Sequence, residues 1–128
     1  MRKLSKKTAV VTGGSRGIGK AIIEAFAEEG VRVLTCVRGY DPGNLPSGVI
    51  WQTADLSSSE SAKSISSNAK DQFGSIDILV NNAGIQIEKT VADTSDEDWD
   101  SLMGVNARGV FMMCREIIKL MENQGGGS

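Results

Sequence analysis

The chain has 128 residues, 40% of them hydrophobic and 23% charged, which is enough for one domain with a core and too few for two. Its net charge of -2 argues against nucleic acid or an anionic membrane surface as the main partner. Histidine is absent and there are two cysteines, so histidine-based triads are excluded and neither a metal site nor a disulfide is expected.

The start, Met1-Arg2-Lys3-Leu4-Ser5-Lys6-Lys7, is basic. No long apolar run follows it, so neither a signal peptide nor a membrane span is read, and a cytoplasmic protein is expected. Thr8-Ala9-Val10-Val11-Thr12 reads as a short buried strand running into a glycine-rich loop. Residues 17–29 read as a helix with Ile18, Ile22, Ala25 and Phe26 on one face and Gly30 as its stop. Residues 31–37 read as a second strand, containing Cys36 as a small hydrophobe, and residues 49–53 as a third. Between them, residues 38–48 carry Pro42, Pro46 and three glycines, so a loop is expected in place of a crossover helix.

Ser57-Ser58-Ser59-Glu60 has the form of a capping box with Ser57 as the cap. The helix it predicts carries Ile65, Ala69 and Phe73 and stops at Gly74. Residues 76–80 read as a fourth strand, apolar without alternation, which suits a strand covered on both faces. Thr94-Ser95-Asp96-Glu97 opens a last, long helix with a stripe of Trp99, Met103, Asn106, Val110, Met113, Ile117 and Leu120. Cys114 falls in the same apolar helix. Strands alternating with helices predict an α/β fold with a parallel sheet covered on both faces. Right-handed crossovers and a phosphate loop after the first strand give the order 3-2-1-4, a doubly wound parallel sheet that stops after its fourth strand.

The loop Thr12-Gly13-Gly14-Ser15-Arg16-Gly17-Ile18-Gly19-Lys20 fits two phosphate-binding templates. Residues 14–20 match the start of a nucleoside-triphosphate loop, but that site needs Ser or Thr after the lysine to hold magnesium, and Ala21 stands there. Gly13, Gly17 and Gly19 also have a dinucleotide-loop spacing. A strand-to-helix turn that binds nothing is the third reading. Three glycines before a helix N-terminus weigh against it, because backbone N–H groups there face an empty, positive site.

At this point the sequence resembles the short-chain dehydrogenase/reductase family. Residues 12–19 are similar to its T-G-x-x-x-G-x-G, and Asn81-Asn82-Ala83-Gly84 to its N-N-A-G motif. Asp55-Leu56 stands where the family contacts adenine, and Asn106 matches the asparagine of its catalytic tetrad. The four run in order from Lys7 to Met121. The resemblance implies a Rossmann fold over residues 1–128 that binds NAD or NADP. It implies Gly13, Ser15, Arg16, Gly17, Ile18, Gly19, Arg38, Asp55, Leu56, Asn82, Ala83 and Gly84 as cofactor-binding residues and Asn106 as the catalytic one. Asp55 as a plain helix cap, Asn82 as a turn residue and Asn106 as a packed structural amide remain open beside these roles.

An NAD site of this kind usually has an acid about 20 residues after the loop, to bind the ribose hydroxyls. Val37 occupies that position, Arg38 follows it, and Arg16 lies in the loop. Two guanidiniums beside the ribose suit a 2′-phosphate, so NADP is expected over NAD. The family's chemistry also needs a serine and a Tyr-x-x-x-Lys pair. The one tyrosine, Tyr40, is followed at that spacing by Asn44. The Gly-Gly-Gly-Ser ending resembles the turn into a fifth strand of the family or a linker.

Two functions follow. One is an NADP-dependent oxidoreductase for a carbonyl or alcohol substrate, of which this chain is the cofactor-binding part, inactive alone. The other is a non-catalytic nucleotide-binding or assembly module. A homo-oligomer is expected, on an unpaired fourth strand or on the last helix with Val110, Phe111, Met112, Met113 and Ile117.

Overall fold

The computed structural model of the chain describes residues 3–128, so the first two residues of the basic start lie outside it. Strands β1 (Thr8–Thr12), β2 (Arg32–Val37), β3 (Ile50–Thr53) and β4 (Ile78–Val80) form one sheet in the order β3-β2-β1-β4. All three pairings are parallel. Val10 sits opposite Leu34 on one side and Leu79 on the other. β1 is buried along its whole length, as an apolar strand with a neighbour on each edge should be.

Helices cover both faces. Helix α1 (Gly17–Glu28) packs Ile23 against Ala9, Val11 and Val33. Helices α2 (Ser59–Phe73) and α4 (Val110–Gln124) pack Ile65, Met112, Met113 and Ile117 against Val10, Leu34 and Cys36. Alternate residues of each strand thus serve opposite faces, and the face of Val10, Leu34, Ile50 and Leu79 takes the larger cluster. Residues 38–48 contain no helix, as their prolines and glycines require. Leu45 in this loop packs against the α1 side.

Several local expectations are corrected. The cap of α2 is Ser58 and it makes no side-chain capping bond; Ser57 is instead held by Asp55, so no capping box forms there. A capping box does form one helix later, between Ser95 and Asp98 at the start of helix α3 (Asp96–Met103). On α1 the fully buried side chain is Ile23; Ile22 and Phe26 of the expected face pack against the same cluster, while Ile18 is 74% exposed. The last helix is not continuous: a π-helical turn, Gly104–Gly109, separates α3 from α4. The extra residue per turn rotates the seam, so Trp99 and Met103 are exposed while Met113 and Ile117 are buried. Gly109 is needed at the end of that turn, since a Cβ there would stand 2.7 Å from the Leu56 carbonyl oxygen. On the outer side of β4, Ser128 accepts from the Leu79 N–H and donates to the Asp77 carbonyl, both at 2.8 Å.

Candidate functional site

A cleft of about 790 Å³ opens where the chain leaves the carboxyl ends of all four strands. Its walls are the glycine loop after β1, Cys36 to Gly39 at the end of β2, Ala54 and Leu56 after β3, and Asn82 to Ile85 after β4. Open parallel sheets place ligands at this edge, where the connections part in opposite directions.

The loop is held from two sides. From β4, the Thr12 hydroxyl accepts from the N–H groups of Asn82 (3.1 Å) and Ala83 (3.0 Å). The Asn82 carboxamide donates to the carbonyls of Thr12 (3.2 Å) and Gly13 (3.1 Å). From β2, the Gly13 N–H donates to the Cys36 carbonyl at 3.0 Å, and the Gly14 N–H to the Thr35 hydroxyl at 3.1 Å. Gly13 turns the chain at φ 72°, and a Cβ on it would stand 2.9 Å from the Ala83 Cα. A Cβ on Gly19 would run into the Gly13 carbonyl and the Asn82 carboxamide. Gly17 differs: its φ is +59° and the space beside it is open. Gly13 and Gly19 therefore serve close packing, and Gly17 a left-handed conformation facing free space.

Helix α1 starts at this loop with Arg16 as an extended cap that makes no side-chain bond, and with no acid in the first turn. Its first N–H groups carry partial positive charge and have no side-chain partner. Arg16 and Arg38 line the cleft together and also share a second recess of about 610 Å³ with Gly84, Ile85 and Gln86. Neither guanidinium is in an ion pair among the described residues. Loop, helix terminus and arginines make a concave site that suits a phosphorylated ligand of dinucleotide size.

Of the residues singled out in the sequence, Gly13, Ser15, Arg16, Gly17, Ile18, Arg38, Leu56, Asn82, Ala83 and Gly84 line the cleft. Gly19 is buried behind it. Asp55 is not brought to the wall. Its Oδ1 accepts from the Ser57 hydroxyl (2.6 Å) and the Ser57 N–H (3.0 Å). Those bonds, with a contribution from the Arg38 charge, hold its carboxyl below the usual carboxylate range. Asn106, on the π-helical turn, is exposed; its carboxamide is taken up by Ile85, with Ile85 N–H to Oδ1 and Nδ2 to the Ile85 carbonyl both at 2.8 Å. The apolar stripe in which its spacing places it is thus not buried at this position. Tyr40 is 89% exposed in the loop beyond Arg38.

Sequence reasoning saw Thr12 only as a motif letter and missed its hold on the stretch after β4, and it missed Thr35, which holds Gly14, and Ile85, which Asn106 holds. Cys36 also lines the cleft; it is free, and burial pushes its thiol up to about 11.

A four-stranded parallel sheet in this order, with a glycine loop and a helix N-terminus at its carboxyl edge, is a Rossmann-type nucleotide fold. The chain belongs to the short-chain dehydrogenase/reductase family: a family model described as short chain dehydrogenase matches residues 7–128. It is 38% identical to an NADP-dependent (R)-specific alcohol dehydrogenase of Lentilactobacillus kefiri, over 98% of this chain and 53% of that protein. It is 33% identical to an NAD-dependent glycerol dehydrogenase of Listeria innocua, over 97% and 51%. A 3-ketoacyl-(acyl-carrier-protein) reductase of Brucella melitensis, solved in complex with NADH, superposes with a TM-score of 0.90 at 31% identity, over 96% of this chain and 53% of that one. The chain spans about half the length of the curated relatives it matches. No helix among the described residues is long and apolar enough to cross a membrane.

Proposed function

We propose that the chain is the nucleotide-binding part of an NADP-dependent oxidoreductase that acts on small carbonyl or alcohol substrates. The observation that carries this reading is that the Arg16 and Arg38 guanidiniums, neither in an ion pair among the described residues, line the glycine-loop cleft together with no acid beside them in its lining. The residues fit the cofactor: Gly17 leaves open space at the uncapped start of α1, where the N–H groups of residues 15–19 would hold a pyrophosphate. Arg16 and Arg38 would hold a 2′-phosphate, Leu56 would flank the adenine with Asp55 near it, and the backbone of residues 82–84 floors the cleft. The dinucleotide, when bound, supplies or accepts a hydride. The relatives are divided on cofactor, one NADP-dependent and one NAD-dependent by name, so the proposal of NADP rests on the two arginines.

A carbonyl reduced at this site ends as an alkoxide and needs a proton donor of matched pKa. Asn106 has no acidic proton, histidine is absent, and Tyr40 stands in an exposed loop four residues before Asn44. The 128 residues are thus expected to hold and orient the nucleotide without turning over carbonyls. A cytoplasmic setting and self-association belong to the proposal as well; of the expected surface on the last helix Met112, Met113 and Ile117 are buried in the core, and the surface that suits a second copy is Trp99, Phe111 and Ile118, 59%, 59% and 48% exposed along α3 and α4.

Titration of NADPH by the enhancement of its fluorescence tests the cofactor assignment, with Arg38→Asp as the diagnostic variant. A carboxylate there repels the phosphate and accepts ribose hydroxyls, so the preference should pass to NADH. Unchanged preference in the variant would remove Arg38 from the site.

A further inference from the structure

Thr35 belongs to none of the motifs that mark the family in this sequence, yet it is the one side chain of β2 that touches the glycine loop through hydrogen bonds. It is fully buried on the α1 side of the sheet. Its hydroxyl accepts from the Gly14 N–H at 3.1 Å and donates to the Val11 carbonyl at 2.7 Å. One hydroxyl therefore ties β2 to the strand before the loop and to the loop itself. The fit leaves no slack: a Cβ on Gly14 would collide with both the Thr35 hydroxyl and Ile23. A backbone N–H in so buried a place has no water to turn to if the hydroxyl goes.

Three residues beyond Thr35 the same strand delivers Arg38 to the cleft. The two halves of the site, loop N–H groups and guanidinium, sit on different strands and must address one ligand at a fixed separation. Gly13 N–H to the Cys36 carbonyl (3.0 Å) is the neighbouring tie, but it is a backbone bond that any residue at 36 provides. Only the Thr35 tie depends on the side chain.

Resting on the nucleotide reading above, we infer that Thr35 is a positioning residue: its hydroxyl sets the glycine loop against β2 so that the loop and Arg38 grip one dinucleotide together. A hydroxyl of this kind gives specificity for ligands long enough to span both subsites. A ligand held at the 2′-phosphate end alone, by the Arg16 and Arg38 side chains, hardly draws on it, because long flexible side chains follow a small shift of the loop that fixed backbone N–H groups cannot.

The test uses two probes, NADP+ and adenosine 2′-phosphate, titrated into the unchanged chain, Thr35→Val and Thr35→Ser. Thr35→Val keeps the shape and removes the hydroxyl. It should bind NADP+ about tenfold more weakly, the size of one lost positioning bond, and adenosine 2′-phosphate as before. Thr35→Ser should recover the NADP+ affinity. Equal loss for both probes would make Thr35 a merely structural residue, and no loss for NADP+ would remove it from the site; either overturns the proposal. If Thr35→Val fails to fold, Thr35→Cys, with a weak sulfur acceptor, must show the same split, and its absence there overturns the proposal equally. If the unchanged chain binds neither probe, the reading of the cleft has failed on its own account. Amide exchange then decides Thr35: a Gly14 N–H slow in the unchanged chain and fast in the hydroxyl-free variant supports the tie, and equal rates overturn it.

Discussion

Asn106 and Ile85 are joined by two hydrogen bonds of 2.8 Å, one to the N–H and one to the carbonyl of the same residue. A carboxamide is the one common side chain that offers a donor and an acceptor side by side, so it can pair with a backbone as a strand neighbour would. The π-helical turn over Gly104–Gly109 carries this amide, and Gly84 beside Ile85 packs within 3.2 Å of its oxygen if given a Cβ. Asn106 thereby fixes the stretch that leaves β4 along the cleft.

Replacing Asn106 by Leu removes both bonds. Two neutral hydrogen bonds are worth about 1 to 3 kcal/mol together, and the exposed setting favours the lower end. Asn106→Asp should not rescue them, because a carboxylate oxygen facing the Ile85 carbonyl repels it. Urea unfolding midpoints check this: both variants should fall, and an unchanged midpoint in either would show that the clamp contributes nothing to stability.

The glycines of the loop should separate by role. Gly14→Ala places a methyl against Ile23 and the Thr35 hydroxyl and should destabilise the fold by about 1 to 3 kcal/mol through overpacking. Gly17→Ala meets no atom, so its cost is the left-handed backbone alone, about 1 kcal/mol. Its methyl enters the cleft, however, and should weaken nucleotide binding more than stability. Thermal unfolding and nucleotide titration of the two variants give the comparison; equal stability losses would contradict the assigned roles.

The legible and illegible parts of this chain divide by distance along the sequence. The loop glycines, the asparagines after β4 and the apolar strands announced themselves because their signals are local runs and fixed spacings. Thr35 sits 21 residues from the glycine it holds, and nothing in Leu-Thr-Cys distinguishes it from any strand threonine. Ser57 shows why local spacing also misleads: Asp55 competes for it at shorter range than the helix terminus does. In the sequence the π-helical turn shows only as Gly104 and Gly109 on either side of Asn106, and its consequence, the exposure of Trp99, needs the added residue in the turn.

Asp98 gives a pH dependence of definite sign. Lys89 at 2.7 Å, together with the Ser95 N–H at 3.0 Å, holds its carboxyl below the usual range. The folded value lies below the unfolded one, about 3.9, so the stabilisation is complete above that pH and is lost as pH falls through the folded value. The thermal midpoints of the unchanged chain and of Asp98→Asn should differ at neutral pH and converge in acid. A gap that widened on acidification would reverse the argument. High salt should narrow it at every pH, since the pair is near the surface.

The two thiols should react unequally. Cys36 is 2% exposed and burial raises its thiol to about 11, so the reactive thiolate is scarce and shielded. Cys114 is half-buried, its sulfur 3.4 Å from the Asn81 amide. A thiol reagent at mildly alkaline pH should label Cys114 first and Cys36 only on unfolding. Rapid labelling of Cys36 in the folded chain would mean that the floor of the cleft opens far more than its packing implies.

The central claim is that Arg16 and Arg38 make the glycine-loop cleft a site for a dinucleotide bearing a 2′-phosphate. Titration calorimetry of the unchanged chain with NADP+ and NAD+ side by side, in one buffer at low salt, tests it most directly. Two freed guanidiniums meeting one phosphate should favour NADP+ by tenfold or more, at about 1.5 to 3 kcal/mol for a charge-assisted contact. The preference should shrink as salt is added. Equal affinities, or tighter binding of NAD+, would contradict the account.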